Sequence, residues 1–259
     1  MSSRNTAGQA PPTQTPRLYR GMSAAERHAQ RRERLLEAGL ELFGTQGYAG
    51  TSIRAVSAAA SLNSRYFYES FSSREDLLWH VFRRIIREDV AVVIEATAGA
   101  QSIEEQARAG LRASWKLVTE DPRKARVLAL EVIGVSERLE QMRRESRNAF
   151  ADILVRNAMS IAGGSVTLRM DPALTARSLM GAVVQVLADW VTGDVDAPVE
   201  EIVEHFTRMF TAVAYASVGH EAPARSGSAA STGVAERSQR PVVPDVGGRA
   251  RGQQRLGRR

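Results

Sequence analysis

Signals that open helices recur so closely along the middle of this chain that little but an all-α fold can accommodate them. Ser23-x-x-Glu26, Ser72-x-x-Glu75 and Ser102-x-x-Glu105 each carry the capping-box pattern. In that pattern the serine oxygen accepts from an early backbone N–H and the glutamate returns to the serine N–H. Asp121-Pro122 and Asp171-Pro172 set an Asp cap before a proline at the first helical position, where a missing N–H costs nothing, and Asp196 with Pro198 repeats the idea. Thr51 and Asn63 are placed to cap two short helices, over about 51–60 and 63–70. The first long helix ends at Gly44 or Gly47, and Ser136 opens another that runs to Gly163-Gly164, where glycine takes the left-handed exit. About nine helices follow. Between the signals there is no strand-like alternation and no internal repeat.

Composition narrows the chemistry. With no cysteine, disulfides, thiol nucleophiles and cysteine-based metal sites are excluded. No run of 18 apolar residues and no apolar leader is present, so no membrane partner is expected and a cytoplasmic, nucleoid-associated placement is. The net charge of +6 does not by itself point to nucleic acid, because the excess lies in two tails. Residues 1–20 and 218–259 are basic, rich in Pro, Gly, Ser or Arg, and read as a disordered arm and a disordered Arg-rich tail. Residues 21–80 carry 7 basic and 7 acidic side chains. Any affinity for DNA has to come from where single residues stand.

One stretch places them. NSRYFYESF, residues 63–71, holds four aromatics of the chain's 15. On a helix from Asn63, Phe67 and Phe71 are four apart and share a face, which points them into a small core with Leu36, Leu40, Phe43, Ile53 and Val56. Ser64, Arg65 and Tyr68 fall on the other side, with Tyr66 at the flank. Two short helices joined at Ser61-Leu62 and braced by a longer one make a helix-turn-helix over residues 21–80. Its second helix presents N-terminal side chains to the major groove of double-stranded DNA. Arg65 has the donor fork that matches guanine O6 and N7. Tyr66 and Tyr68 reach phosphate or a thymine methyl. Thr51 and Ser52 lie at a helix N-terminus that favours phosphate, Arg54 lies one turn in, and Arg74 opens the next helix on the far flank.

RRERLLEAGLELFGTQGYAGTSIRAVSAAASLNSRYFYESFSSREDLL resembles the DNA-binding domain of TetR/AcrR-family transcriptional regulators. The matching residues are Leu35-Leu36, Ala38, Leu42-Phe43, Gly47, Thr51-Ser52-Ile53, Ala60, Tyr68, Phe71 and Ser73-Arg74-Glu75-Asp76-Leu77-Leu78. Where the family's turn reads Ala-Gly-Val, this chain reads Ala60-Ser61-Leu62, so Ser61 takes a position that favours glycine and strains the turn slightly. Arg74 replaces a common lysine. Arg65 stands where the family often has a small residue or proline, and is read as a sequence-specific contact. The resemblance implies a homodimer on a palindromic operator, a small-molecule effector in the C-terminal helices of residues 81–217, and repression relieved by that effector.

In that C-terminal part, residues 172–191 are apolar around much of the helix, and 199–217 carry a second apolar set. Such helices are buried in a core or in an interface. The family resemblance assigns them to a dimer bundle, with Leu174, Met180, Val184, Leu187, Ile202, Phe206, Met209 and Phe210 as interface candidates; a larger monomer core is the alternative. Trp115, which shares a face with Leu111 and Val118, and Phe150 and Glu131 are candidates for the effector pocket, although Glu131 more readily pairs with Arg126 or Arg138. Four scattered histidines and no nucleophile, metal-ligand or phosphate-loop pattern leave no enzyme, no metal and no cofactor to expect. The alternative from another class is a protein-interaction module on the same scaffold that does not bind DNA.

Overall fold

The computed structural model describes residues 23–161 and 169–217. The arm, the tail and the Gly163-Gly164 exit lie outside the described residues. Within them the chain forms nine α-helices and no strand. These are α1 (Ala24–Gly50), α2 (Ile53–Ala59), α3 (Ser64–Tyr68), α4 (Arg74–Thr97), α5 (Ile103–Glu120), α6 (Pro122–Arg126), α7 (Glu137–Ile161), α8 (Pro172–Thr192) and α9 (Val199–Ser217). A wider-wound π segment, Val127–Glu131, continues α6.

The caps explain most starts. Ser23 and Glu26 exchange both bonds of a capping box. Asn63, Ser102, Asp121 and Asp171 each accept from a first-turn N–H, and Pro122 and Pro172 occupy first-turn positions. Four expectations shift. The cap of α2 is Ser52, not Thr51, whose side chain is turned inward. The cap of α4 is Ser73, accepting from Asp76 N–H, because Asp76 rather than Glu75 folds back onto the Ser72 N–H at 3.0 Å. Pro198 precedes α9, its carbonyl accepting from Glu201 and Ile202. Gly44 does not end α1; the interruption is at Gly47, with φ 80°. Gly44 is instead where the chain of α6 crosses, and a Cβ there would lie 2.7 Å from the Arg123 Cα.

Two apolar clusters organise the packing. The first joins Leu36, Leu40, Phe43, Val56, Phe67 and Phe71 with Leu77, Leu78, Val81 and Ile85 of α4, and takes in Val127, Val132 and Leu139. The second joins Leu111, Trp115 and Val118 of α5 with Ile202, Val203, Phe206 and Phe210 of α9. Helix α4 contributes to the first cluster and then runs on beside α5, so one rod carries both the N-terminal head and the wall of the body.

Candidate nucleic-acid interface and ligand cavity

Helices α2 and α3 are short, and local hydrogen bonds alone would not hold them. Their rigidity comes from anchors. Phe67 is fully buried and Phe71 nearly so, their rings 5.8 Å apart. At the turn between them Ser61 has φ 51°, the only non-glycine residue with positive φ among the described residues. Arg34 of α1 reaches across and donates to the carbonyls of Ala60 and Ser61, the latter at 3.4 Å, fixing that turn. His28 lies 3.3 Å from the Glu69 carbonyl at the end of α3.

What faces outward on this base is polar. Arg65 has 85% of its side chain exposed and pairs with Glu69 at 3.4 Å. Tyr68 is 62% exposed. Tyr66 is half-exposed, its ring beneath Arg31 at 4.5 Å. Asn63 and Ser52 are exposed caps, Ser64 is half-buried, and Arg54 is exposed with no ion-pair partner among the described residues. The structure therefore brings Ser52, Arg54, Asn63, Arg65, Tyr66 and Tyr68 to the accessible surface of one small unit.

Two sequence-derived candidates do not belong with them. Thr51 is buried, and its hydroxyl donates to the Gly47 carbonyl at 2.8 Å, so no side-chain group is left for a phosphate. Arg74 is half-buried. It donates to the Thr51 carbonyl and lies 4.0 Å over the Tyr48 ring, which makes it a clamp on the loop before α2. Neither role was readable from local sequence, because both depend on the kink at Gly47.

Glu131 makes the Arg126 pairing that its sequence favoured over a place in the pocket. It is not among the residues that line the two cavities described below. One carboxylate oxygen accepts the Tyr48 N–H at 2.6 Å and the other takes Arg126 Nε at 2.7 Å. Arg138, the other expected partner, pairs with Asp76 at 3.0 Å and covers Trp79. Burial opposes ionisation of Asp76, yet the Ser72 N–H and Arg138 outweigh it and hold the carboxyl below its usual range. Burial, with Arg32 alongside, holds the His80 imidazole low, so its neutral Nδ1 accepts from Arg32 at 3.0 Å.

The body contains a cavity of about 160 Å³ between α4, α5, α7 and α8. Trp115 and Phe150 line it, as the sequence suggested. So do Met180, Val184 and Leu187 of α8, which are partly buried, and the buried Phe210 of α9; all four were expected at a dimer interface. Ile202 and Phe206 are likewise spent inside the chain, packed on α5. Met209 is half-buried against the same cluster, and Leu174 alone of the eight is largely exposed, at 66%. A smaller apolar cavity of about 90 Å³ adjoins, sharing Gln106, Ala107, Leu154 and Phe210 with the first.

Asp89 was missed. It stands in the larger cavity's wall, on the stripe Phe82, Ile86, Asp89, Val93, Thr97 of α4. The signal was present: an acid three residues after Ile86 and four before Val93 sits on the apolar face. Burial pushes its carboxyl up to about 6, opposed by a hydrogen bond from Ser114.

Residues 35–81 match the family described as bacterial regulatory proteins, tetR family. No curated protein sequence matches the chain. Among solved structures, the fatty acid degradation regulator FadR of Bacillus halodurans is similar at a TM-score of 0.63 and 18% identity, over 70% of this chain and 94% of that one. FadR of Bacillus subtilis, in complex with stearoyl-CoA, gives 0.63 and 18%, over 69% and 97%. AibR, in complex with isovaleryl coenzyme A and operator DNA, gives 0.56 and 20%, over 70% and 98%.

Proposed function

We infer that this chain, whose residues 35–81 match the family of bacterial regulatory proteins, tetR family, is a sequence-specific DNA-binding regulator: a homodimeric repressor released from a palindromic operator by a small-molecule effector. One observation carries the reading. Helix α3 turns Arg65 and Tyr68 outward while Phe67, on the same turns, is fully buried. That is a rigid base with a polar reading edge, which base recognition requires. Arg65 reads a guanine, Arg54 and the two tyrosines contact backbone or base edges, and the caps Ser52 and Asn63 and the neighbouring Ser64 lie where helix N-termini favour phosphate.

The effector site is the cavity lined by Trp115 and Phe150. Similar folds hold stearoyl-CoA in the Bacillus subtilis FadR and isovaleryl coenzyme A together with operator DNA in AibR, which supports a ligand in the body of this one. The dimer uses the outer faces of α8 and α9, where Leu174 and Tyr215 remain 66% exposed, rather than the inward residues first expected. No membrane contact is assigned: among the described residues no helix is long and apolar enough to cross a bilayer. A cytoplasmic site at the nucleoid follows from the DNA-binding role.

Selection of bound duplexes from a random pool by the full chain tests the reading. A palindrome with half-sites roughly 34–36 Å apart, or a multiple of that, is expected. Sedimentation should give twice the 28.3 kDa chain mass. A pool without an enriched palindrome supports the interaction-module alternative instead.

A further inference from the structure

Asp89 is 6% exposed, and its Oδ1 has no hydrogen-bond partner among the described residues. A buried carboxylate left half-satisfied is costly, and such groups are ordinarily paired. No described residue supplies the pair for Oδ1. Arg143 and Arg147 also line the cavity, but Arg143 is held by Glu140 at 2.8 Å and neither bonds Asp89. Both arginines are half-buried on α7, whereas Asp89 is in the wall formed by α4.

The geometry points to Asp89 as the anchor for an amphipathic ligand whose head is a cationic hydrogen-bond donor, such as a protonated amine, on an apolar body. The head donates to Oδ1 while Ser114 continues to serve the carboxylate. The body lies against Phe82, Leu111, Trp115 and Phe150. A chain too long for the first cavity continues past Phe210 into the second, whose lining is almost wholly apolar. An anionic head at the same depth meets a like charge in a medium of low polarity and is repelled. At neutral pH the carboxyl, raised to about 6, is still mostly ionised and attracts the cation.

The inference rests on the cavity being the effector site, and the test separates the two. Decylamine, decanol and decanoate share one apolar chain and differ in head charge. Their binding to the full chain without DNA is read by calorimetry and by tryptophan fluorescence, Trp115 being in the wall. Decylamine should bind about tenfold tighter than decanol, the scale of a hydrogen bond to a charged group, with decanoate weakest. Asp89→Asn should erase the amine's advantage and leave decanol unchanged. Equal binding of amine and alcohol by the wild type, or tighter binding of decanoate, overturns the assignment whether or not the variant folds. If decylamine binds through Asp89 yet leaves operator affinity unaltered, the anchor stands and the effector reading fails. If only decanoate releases the operator, the effector reading stands and the anchor fails.

Discussion

Burial makes Asp89 a liability to the empty fold as well as an anchor. Its carboxyl titrates near 6 in the folded chain against 3.8 when exposed, burial being the cause and Ser114 a partial offset. A raised acid favours the fold only while it is protonated: that contribution is whole below about 4 and is lost as pH climbs through about 6. The difference corresponds to roughly 3 kcal/mol. Asp89→Asn, which keeps the size and removes the charge, should therefore raise stability at pH 7.5 by roughly 1–3 kcal/mol, and the gain should shrink toward pH 4. Denaturant titrations at the two pH values check this; a gain that does not depend on pH means the carboxyl is not strained by burial. Ser61 is the second residue held against its preference, with φ 51° secured by Arg34. Ser61→Gly should stabilise the fold by about 1 kcal/mol, since glycine adopts this backbone without the Cβ penalty. Thermal unfolding of the variant provides the measurement.

Among the elements, α3 divides its work by register, and Arg65 on it and Arg74 at the start of α4 should behave differently when removed. Arg65 is exposed and nearly free, so Arg65→Ala should leave the melting temperature unchanged while relaxing base choice at one position per half-site, at about 1–3 kcal/mol. Arg74 clamps the Thr51 carbonyl and stacks on Tyr48, so Arg74→Ala should lower stability by about 1–3 kcal/mol and weaken binding to every sequence through a loosened α2. Melting curves beside gel shifts on matched and mismatched sites separate these outcomes. The same contrast shows what a sequence makes legible. Phe67 and Phe71, four apart, declare one buried face, and the Ser and Asp caps declare most starts. Ser72 and Ser73 are both serines with an acid ahead of each, so spacing alone could not choose between them; the Ser72 N–H bonding to Asp76 did. Thr51 and Arg74 satisfy each other's neighbourhood across 23 residues, and Glu131 finds Tyr48 across 83. Local pattern carries no information at that range. Helix α8 is apolar on so much of its circumference that its sequence does not distinguish a cavity wall from a subunit interface, and Met180, Val184 and Leu187 line the cavity.

Across the whole molecule, the body meets the head along the apolar cluster that takes in Val127, Val132 and Leu139, and a few polar ties flank that seam. Arg123 bridges to Glu37 and Glu41 of α1, Ser136 and Arg138 hold Glu75 and Asp76, and Glu131 takes the Tyr48 N–H beside the Gly47 kink. Of these, Glu131 has the shortest route to the cavity. Leu128, three residues earlier on the same π segment, lines the cavity wall. From Glu131 the route runs through Tyr48 to Arg74 and then to the Thr51 carbonyl, one residue before the cap of α2. A π segment bonds i to i+5, one residue further than an α-helix, and such single-turn insertions are frequent at functional sites. Glu131→Gln keeps the shape but leaves the side chain one acceptor oxygen for two donors, Tyr48 N–H and Arg126. Ligand affinity in the absence of DNA should be unchanged, because Glu131 does not touch the cavity. Effector-linked loss of operator affinity, ordinarily about 5–150-fold, should fall toward unity. Ligand titrations followed by operator binding at saturating ligand measure both quantities on one preparation. A variant that releases its operator as fully as the wild type would mean the signal leaves the cavity along α4, which also runs from its wall into the head.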